Sequence, residues 1–375
     1  MNFGTVRLIY SLKPILKYKV YTAKVAFMSN NYPTAIIING EYKTLAGYSN
    51  QEHPSEVLRT VIGYTIYKSI LVDNEETSKD YLIGQEALNL RGVLKLIYPI
   101  ISGKIEFWDE LQQFWSMVIE KEQLQVQDNK SILISTPRIY ENRIIRRMVS
   151  LLQDDFTFKH IGVASNALLS LLGLGLQTGI IVDIGLNTTE VVVFQQRETM
   201  RSLLLDYGGR SITKYFRLLH RKQHGFDHGD NLEIFNDIKE KLCFIAIDLG
   251  HINPESGMRT YEMPDGEVEL FSNETYLAPE LLFDPKLIES NSASIQDAVS
   301  SLINDGDADL EPELSENIII TGGSAAFPGL ANRLERELKK INTHKEYKVR
   351  CVLNSHELLW NGALQLCKAE GEINN

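Results

Sequence analysis

The chain has 375 residues, 43% of them hydrophobic, and a formal charge of −11. That length and apolar content suit a two-cored α/β protein, while the acidic balance argues against non-specific nucleic-acid binding, because a phosphate backbone rewards basic patches. No apolar run reaches the roughly 20 residues that a membrane span needs.

In chain order, the first thirty residues come first, with Arg7, Lys13, Lys17, Lys19 and Lys24 and no acid. Three readings of this basic extension, residues 1–33, stand open: a targeting segment, a basic arm touching an acidic partner, or a stretch that is not translated because synthesis begins at Met28. A targeting segment would be richer in Arg and Ser or would carry a longer apolar block, and the third reading is preferred. Ala35-Ile-Ile-Ile-Asn-Gly40 then predicts a buried strand that turns at Gly40 and resumes near Leu45. The acidic run at 73–79 reads as a solvated face. Gly179-Ile-Ile-Val-Asp-Ile-Gly185, resuming at Thr189-Glu-Val-Val-Val-Phe194, predicts a second hairpin of the same kind. Either one alone is an ordinary hairpin. Two of them in successive halves suggest a duplicated lobe, with both first turns pointing into a cleft where backbone N–H groups hold a phosphate chain and Asp183 reaches a metal through water.

His224 and His228 have the i, i+4 spacing of a metal clamp, but Gly225 and Gly229 predict a surface loop instead of a helix. Residues Asn317 to Leu338 carry the strongest signal: Ile318 to Ile320, then Gly322-Gly323, then an amphipathic helix starting near Pro328. A strand end of this kind lets backbone approach something flat, such as a base or ribose. Cys243, Cys351 and Cys367 have neither metal-ligand nor Cys-x-x-Cys spacing, which points to a reducing compartment and buried thiols.

From about Thr34 to Gly362 the chain resembles the actin family. The resemblance rests on five collinear segments: Leu90 to Ile100 with Gly103 and Trp108-Asp109; Asp237 to Phe244; Tyr261 to Phe283; Asn317 to Leu338; and Trp360-Asn-Gly362. Within the family, Leu277-Ala-Pro-Glu-Leu-Leu-Phe283 and Lys286-Leu-Ile-Glu-Ser290 look nearest to centractin, the filament subunit of dynactin. The resemblance implies a two-lobed, duplicated ribonuclease H-like α/β fold with a nucleotide cleft between lobes. It implies a first lobe over 34–172 with a small outer subdomain at about 65–97, a second lobe over 173–355, and a return to the first lobe over 356–375 with a shortened tail. The acidic run at 73–79 then falls on the family's flexible, subunit-reaching loop.

For chemistry, the resemblance implies ATP or ADP with Mg²⁺, held by Gly40, Asp183, Gly185, Lys239, Glu240, Gly322, Gly323, Ser324 and Phe327, with Asp183 reaching the metal through water. Several family groups are missing. Ile38, Glu41, Tyr42 and Leu45 replace the family's metal-side Asp, its hydroxyl donor, its second glycine and its phosphate-binding Lys, and Leu186 and Asn187 replace an acid and a glycine. A carboxylate about 4 Å from a phosphate oxygen costs roughly 4 kcal/mol at an effective dielectric of about 20, unless a cation bridges them. Asn166 and Glu190 stand where the family positions the attacking water with Gln and His, and a misplacement of about an ångström can cost on the order of a hundredfold. The nucleotide is therefore expected to be turned over slowly or not at all, or to be lost. A compensated site, with Glu41 and Glu190 jointly holding the metal, is the alternative. The expected function is that of a structural actin-related subunit of a cytoplasmic, cytoskeletal filament or complex of dynactin type, partnered by other actin-family subunits. Alternatives are a nuclear scaffold subunit of a chromatin-remodelling complex and an active ATPase of the same superfold.

Overall fold

The computed structural model describes residues 19–20, 33–65, 81–124, 131–225, 232–306 and 308–371. The acidic run at 73–79 and His228 lie outside the described residues, as does the basic extension apart from its Lys19–Val20 pair.

Strands β1 (Lys19–Val20), β2 (Ala35–Ile38), β3 (Lys43–Tyr48) and β4 (Glu56–Arg59) contribute to the first sheet. Strands β5 (Ile62–Thr65), β6 (Tyr81–Ile83) and β7 (Leu94–Ile97), with helix α1 (Gly84–Asn89), build a small separate sheet. The short pair β8 (Ile100–Ile101) and β9 (Lys104–Ile105) leads into helix α2 (Trp108–Lys121). Strands β10 (Ser131–Thr136) and β11 (His160–Ser165), with helices α3 (Asn142–Asp154) and α4 (Asn166–Gly173), complete this half. The first sheet runs β1-β11-β10-β2-β3-β4.

The second half repeats the plan. Strands β12 (Gly179–Ile184), β13 (Thr189–Gln195) and β14 (Glu198–Leu205) are followed by helices α5 (Gly209–His224) and α6 (Leu232–Leu242). Next come the hairpin β15 (Arg259–Glu262) and β16 (Val268–Phe271), and helices α7 (Glu274–Leu277), α8 (Ile295–Asn304) and α9 (Glu311–Glu316). Strand β17 (Ile318–Thr321), helix α10 (Leu330–Ile341), strand β18 (Val349–Cys351) and helix α11 (Ser355–Gly371) close the chain. This sheet runs β14-β13-β12-β17-β18. In both sheets an antiparallel three-strand meander, β2-β3-β4 or β12-β13-β14, has further strands laid parallel to its first member: β10, β11 and the short β1 in the first sheet, β17 and β18 in the second. The duplication inferred from two hairpins is thus a duplication of whole sheets.

β-branched runs explain the central strands. Ile36 to Ile38, Ile180 to Val182 and Ile318 to Ile320 are fully buried, as strands covered on both faces must be. Each sheet has its own core, one around Phe114, Trp115 and Met148, the other around Phe216, Phe235 and Phe271. A third core joins them, where Ile36, Ile38 and Leu45 of the first sheet meet Ile181, Phe194 and Ile319 of the second through α4 and Trp360 of α11. Two glycines let these helices touch: a Cβ on Gly173 would stand 2.2 Å from the Leu358 carbonyl oxygen, and one on Gly362 would stand 1.9 Å from that of Leu169. The helix expected near Pro328 begins instead at Leu330, after left-handed Gly329, and buries Leu330, Leu334 and Leu338 along one stripe. Among the described residues no helix is long and apolar enough to cross a membrane. All three cysteines are free thiols, with Cys243 buried and the other two half-buried.

Candidate functional site

The turns after β2 and β12 and the end of β17 meet in one cavity of about 500 Å³, within the usual range for small-molecule sites. Gly40, Asn166, Asp183, Gly185, Glu190, Lys239, Glu240, Gly322, Gly323, Ser324 and Phe327 all line it. The paired glycines reach Asp183 because β17 lies parallel to β12 in a register that sets Thr321 against Asp183. Gly322 has φ +90°, and a Cβ there would stand 2.4 Å from the Ile184 carbonyl oxygen and 2.6 Å from Asp183 Oδ1. Only glycine fits that approach.

One side of the cavity gathers small and polar groups. Lys239 on α6 is buried, donates to the Gly209 carbonyl at 3.2 Å and to Asn236 Oδ1 at 2.8 Å, and burial holds its ammonium below the usual lysine pKa. Ser324 Oγ lies 3.2 Å from where a Gly209 Cβ would be, so the absence of a side chain at 209 leaves that corner open. Glu240 is exposed and accepts from Asn236 Nδ2 at 2.7 Å. Phe327 is buried, packs into the second core and lines the cavity.

The opposite side is built differently from what the sequence suggested. Glu41 does not project freely: its carboxylate accepts from Asn187 Nδ2 across the cleft, from Ser102 N at 2.9 Å and from Gly103 N at 3.4 Å. The two substituted residues thus bond to each other from opposite lobes. Just outside, Arg59 lies 3.8 Å above the Tyr42 ring and pairs with Glu233 of α6 at 3.4 Å, a second contact between lobes. Two cations that sequence reasoning missed, Lys43 and Arg138, line the same cavity. Lys43 was legible in principle, because residues two apart on a strand share a face and Lys43 therefore sits one repeat nearer the turn than Leu45. Arg138 was not, since it arrives from the loop after β10.

Asn166 and Glu190, which the resemblance aligned with the family's water-positioning residues, are held by bonds within the protein. Asn166 donates through Nδ2 to the Asn39 carbonyl at 2.9 Å and accepts from Ser135 Oγ at 2.6 Å. Asn39 in turn accepts from Trp115 Nε1 at 2.9 Å and donates to the Ser135 carbonyl at 2.8 Å. This closed network ties the amide into the first lobe. Glu190 faces Asp183 across the antiparallel β12–β13 pair and accepts from Ile139 N at 3.1 Å. Burial pushes Glu190 up to about 7, opposed by the Ile139 N–H and the Arg138 charge and reinforced by Asp183. Burial likewise pushes Asp183, deep in the cleft, up to about 6. Glu41 and Glu190, which the sequence offered as joint holders of a metal, are each engaged by protein donors here. Among the described residues, a group of three ligating side chains gathered around one point is His220, His224 and Glu274, on α5 and α7.

That group also corrects the reading of His224. Gly225, left-handed at φ 75°, ends α5 as a glycine breaker should, but it does so after His224, which therefore completes a helical turn with His220 where a surface loop was expected.

A two-lobed α/β molecule with duplicated sheets and a glycine-lined cavity between them is an actin-type architecture. The family model described as "Actin" matches residues 29–367, and the chain belongs to the actin family. Among curated relatives it is similar to actin-related protein 2 of Caenorhabditis briggsae, 30% identical over 82% of this chain and 80% of that protein. It is also similar to actin-related protein 2 of Acanthamoeba castellanii, 29% identical over 84% and 83% respectively.

Proposed function

We propose that this protein is a structural actin-related subunit that accepts an adenine nucleotide without turning it over and keeps its lobes together with its own side chains. The observation that carries this reading is the Glu41 carboxylate bonded to Asn187 of the other lobe, at the turns where the family holds phosphates. Lys239, Ser324 and the paired glycines offer a nucleoside corner, and Lys43 and Arg138 offer positive charge toward an anion. Asp183 is the group to hold Mg²⁺ through water. Asn166 and Glu190, at the positions where the family orients the attacking water, are both bonded to protein partners and are not free for that role.

The assembly we favour is a cytoplasmic, cytoskeletal one of dynactin type, with other actin-family chains as neighbours. Ala278 and Glu280 are buried, and Glu280 pairs with Arg333 at 2.9 Å, so the first centractin-like segment bears on internal packing. Exposed Lys286 and Glu289 in the second are the ones available to a neighbour.

Two measurements test this reading. Purified protein is expected to bind ADP and to release no phosphate from ATP, and phosphate release that disappears in Asp183→Ala overturns the non-hydrolysing reading. Affinity capture with mass spectrometry is expected to recover actin-family subunits, and recovery of chromatin-remodelling subunits instead overturns the cytoskeletal one.

A further inference from the structure

Away from the cleft, the last turn of α5 carries two imidazoles on one face, His220 and His224, because residues four apart on a helix are neighbours. Their rings stack with centroids 4.4 Å apart. Opposite them stands Glu274 at the start of α7, whose Oε1 is 3.3 Å from His220 Nδ1 and 3.7 Å from His224 Nε2. The three ligating atoms lie within 4.8 Å of one another. Tetrahedral zinc bonded at about 2.0–2.2 Å to nitrogen and oxygen sets its ligands roughly 3.3 Å apart, so the His220–Glu274 edge already has the required length. His224, with its side chain 26% exposed, is the member with room to rotate inward and close the other two edges.

The surroundings are those of a metal centre with its outer groups in place. His220 is fully buried, and its second ring nitrogen, Nε2, is 3.0 Å from the Glu269 carboxylate on β16. That sets a carboxylate within reach of the nitrogen, the pairing by which metal sites fix the tautomer and turn the other nitrogen's lone pair toward the metal. The second oxygen of Glu274, Oε2, accepts from Ser272 Oγ at 3.3 Å, and Ser272 Oγ in turn accepts from Gln223 Nε2 at 2.6 Å. Phe271 lies beneath His220 at 4.9 Å and gives the site an apolar floor. Two carboxylates and two neutral imidazoles carry two negative charges, which a divalent cation balances, and a donor set of two nitrogens and a carboxylate oxygen suits zinc.

We propose that His220, His224 and Glu274 bind Zn²⁺, with Glu269 orienting His220 and water taking the fourth position, so that the metal fastens the end of α5 to the β16–α7 corner of the second lobe. The site is independent of the cleft and of any nucleotide in it.

Cobalt(II) titration of the chelator-treated full-length protein tests this. The wild type is expected to take up one Co²⁺ with the intense visible absorption of a tetrahedral nitrogen-containing site, to lose that band on adding Zn²⁺, and to melt higher with zinc than without. His224→Ala, a change at a half-exposed position, removes the band. Glu269→Gln keeps it but weakens binding about 10–100-fold, whereas His251→Ala, at an exposed histidine elsewhere, changes nothing. A cation held at Asp183 has only oxygen ligands and gives the weak octahedral spectrum, so failure of this site is distinct from failure of the cleft. Absence of the tetrahedral band in the wild type, or an undiminished band in His224→Ala, overturns the proposal.

Discussion

Glu190 sits beside Asp183 on adjacent strands, and the Glu190 side chain is buried while Asp183 is half-buried where it lines the cavity. A carboxyl whose pKa in the folded protein lies above its unfolded value binds its proton more tightly when folded. Its contribution to stability is therefore fully present below the unfolded pKa, about 4.5 for Glu190, and is lost as pH rises through about 7. The shift bounds that loss at roughly 3 kcal/mol, less whatever a bound cation or rearrangement of Arg138 returns. Glu190→Gln keeps an oxygen to accept from Ile139 N and has no charge to bury. The variant is expected to melt above the wild type at pH 8 and level with it near pH 5, in paired thermal melts. Parallel melting curves across that range would mean that Glu190 is solvated in a way its burial does not suggest. The same substitution leaves phosphate release at the wild-type level if Glu190 has no part in hydrolysis.

Helices α4 and α11, through which the cores of the two sheets meet, cross so closely that their contact depends on two glycines. At Gly362 a methyl group would lie 1.9 Å from a backbone oxygen of the facing helix, a contact no side-chain rotation relieves. Gly362→Ala is expected to cost at least about 2–3 kcal/mol, at the upper end of ordinary overpacking, and to lower the melting temperature accordingly. Gly92→Ala, which meets nothing within 4 Å, should be neutral, and an equal loss in both would refute the packing account. The sequence spelled out Gly362 only as part of a Trp-x-Gly resemblance, whereas the central strands could be read directly. Runs such as Ile318 to Ile320, bounded by turn glycines, have one good solution, a buried strand. Contacts between distant segments leave no such trace. Nothing local at Glu41 announces Asn187, and nothing near Arg138 announces the cleft. Gly225 and Gly229 predicted a loop at His224, whereas the helix runs through His224 before Gly225 ends it and so sets His224 one turn from His220. The glycine-lined side of the cavity was the more legible half because glycines at strand ends advertise close approach, and the other half was obscured because its charges come from positions shifted along the strand or from another loop.

At the scale of the whole molecule, the contacts that join the lobes among the described residues include the shared core around α4 and α11, the Glu41–Asn187 bond, the Ile139 N–Glu190 bond and the Arg59–Glu233 pair. They are not equal. The core is common to any closed or open arrangement that pivots on those helices, so it sets the hinge more than the angle. Arg59–Glu233 joins a largely covered guanidinium to a carboxylate that is 47% exposed, and pairs of that kind contribute about 0–1 kcal/mol. A hydrogen bond to a charged, half-buried carboxylate contributes about 1.5–3 kcal/mol, and Glu41 also holds the Ser102–Gly103 turn, so Glu41 contributes more to the angle than the Arg59–Glu233 pair does. Wild-type protein stripped of nucleotide is therefore expected to keep its radius of gyration in small-angle scattering. Glu41→Ala combined with Arg59→Ala should expand on stripping and contract again when ADP is restored, with faster amide exchange at 102–103 and 185–188. If the wild type itself expands when stripped, then nucleotide rather than the side-chain bridge closes the cleft, and the proposed self-clamping subunit gives way to an ordinary nucleotide-gated one.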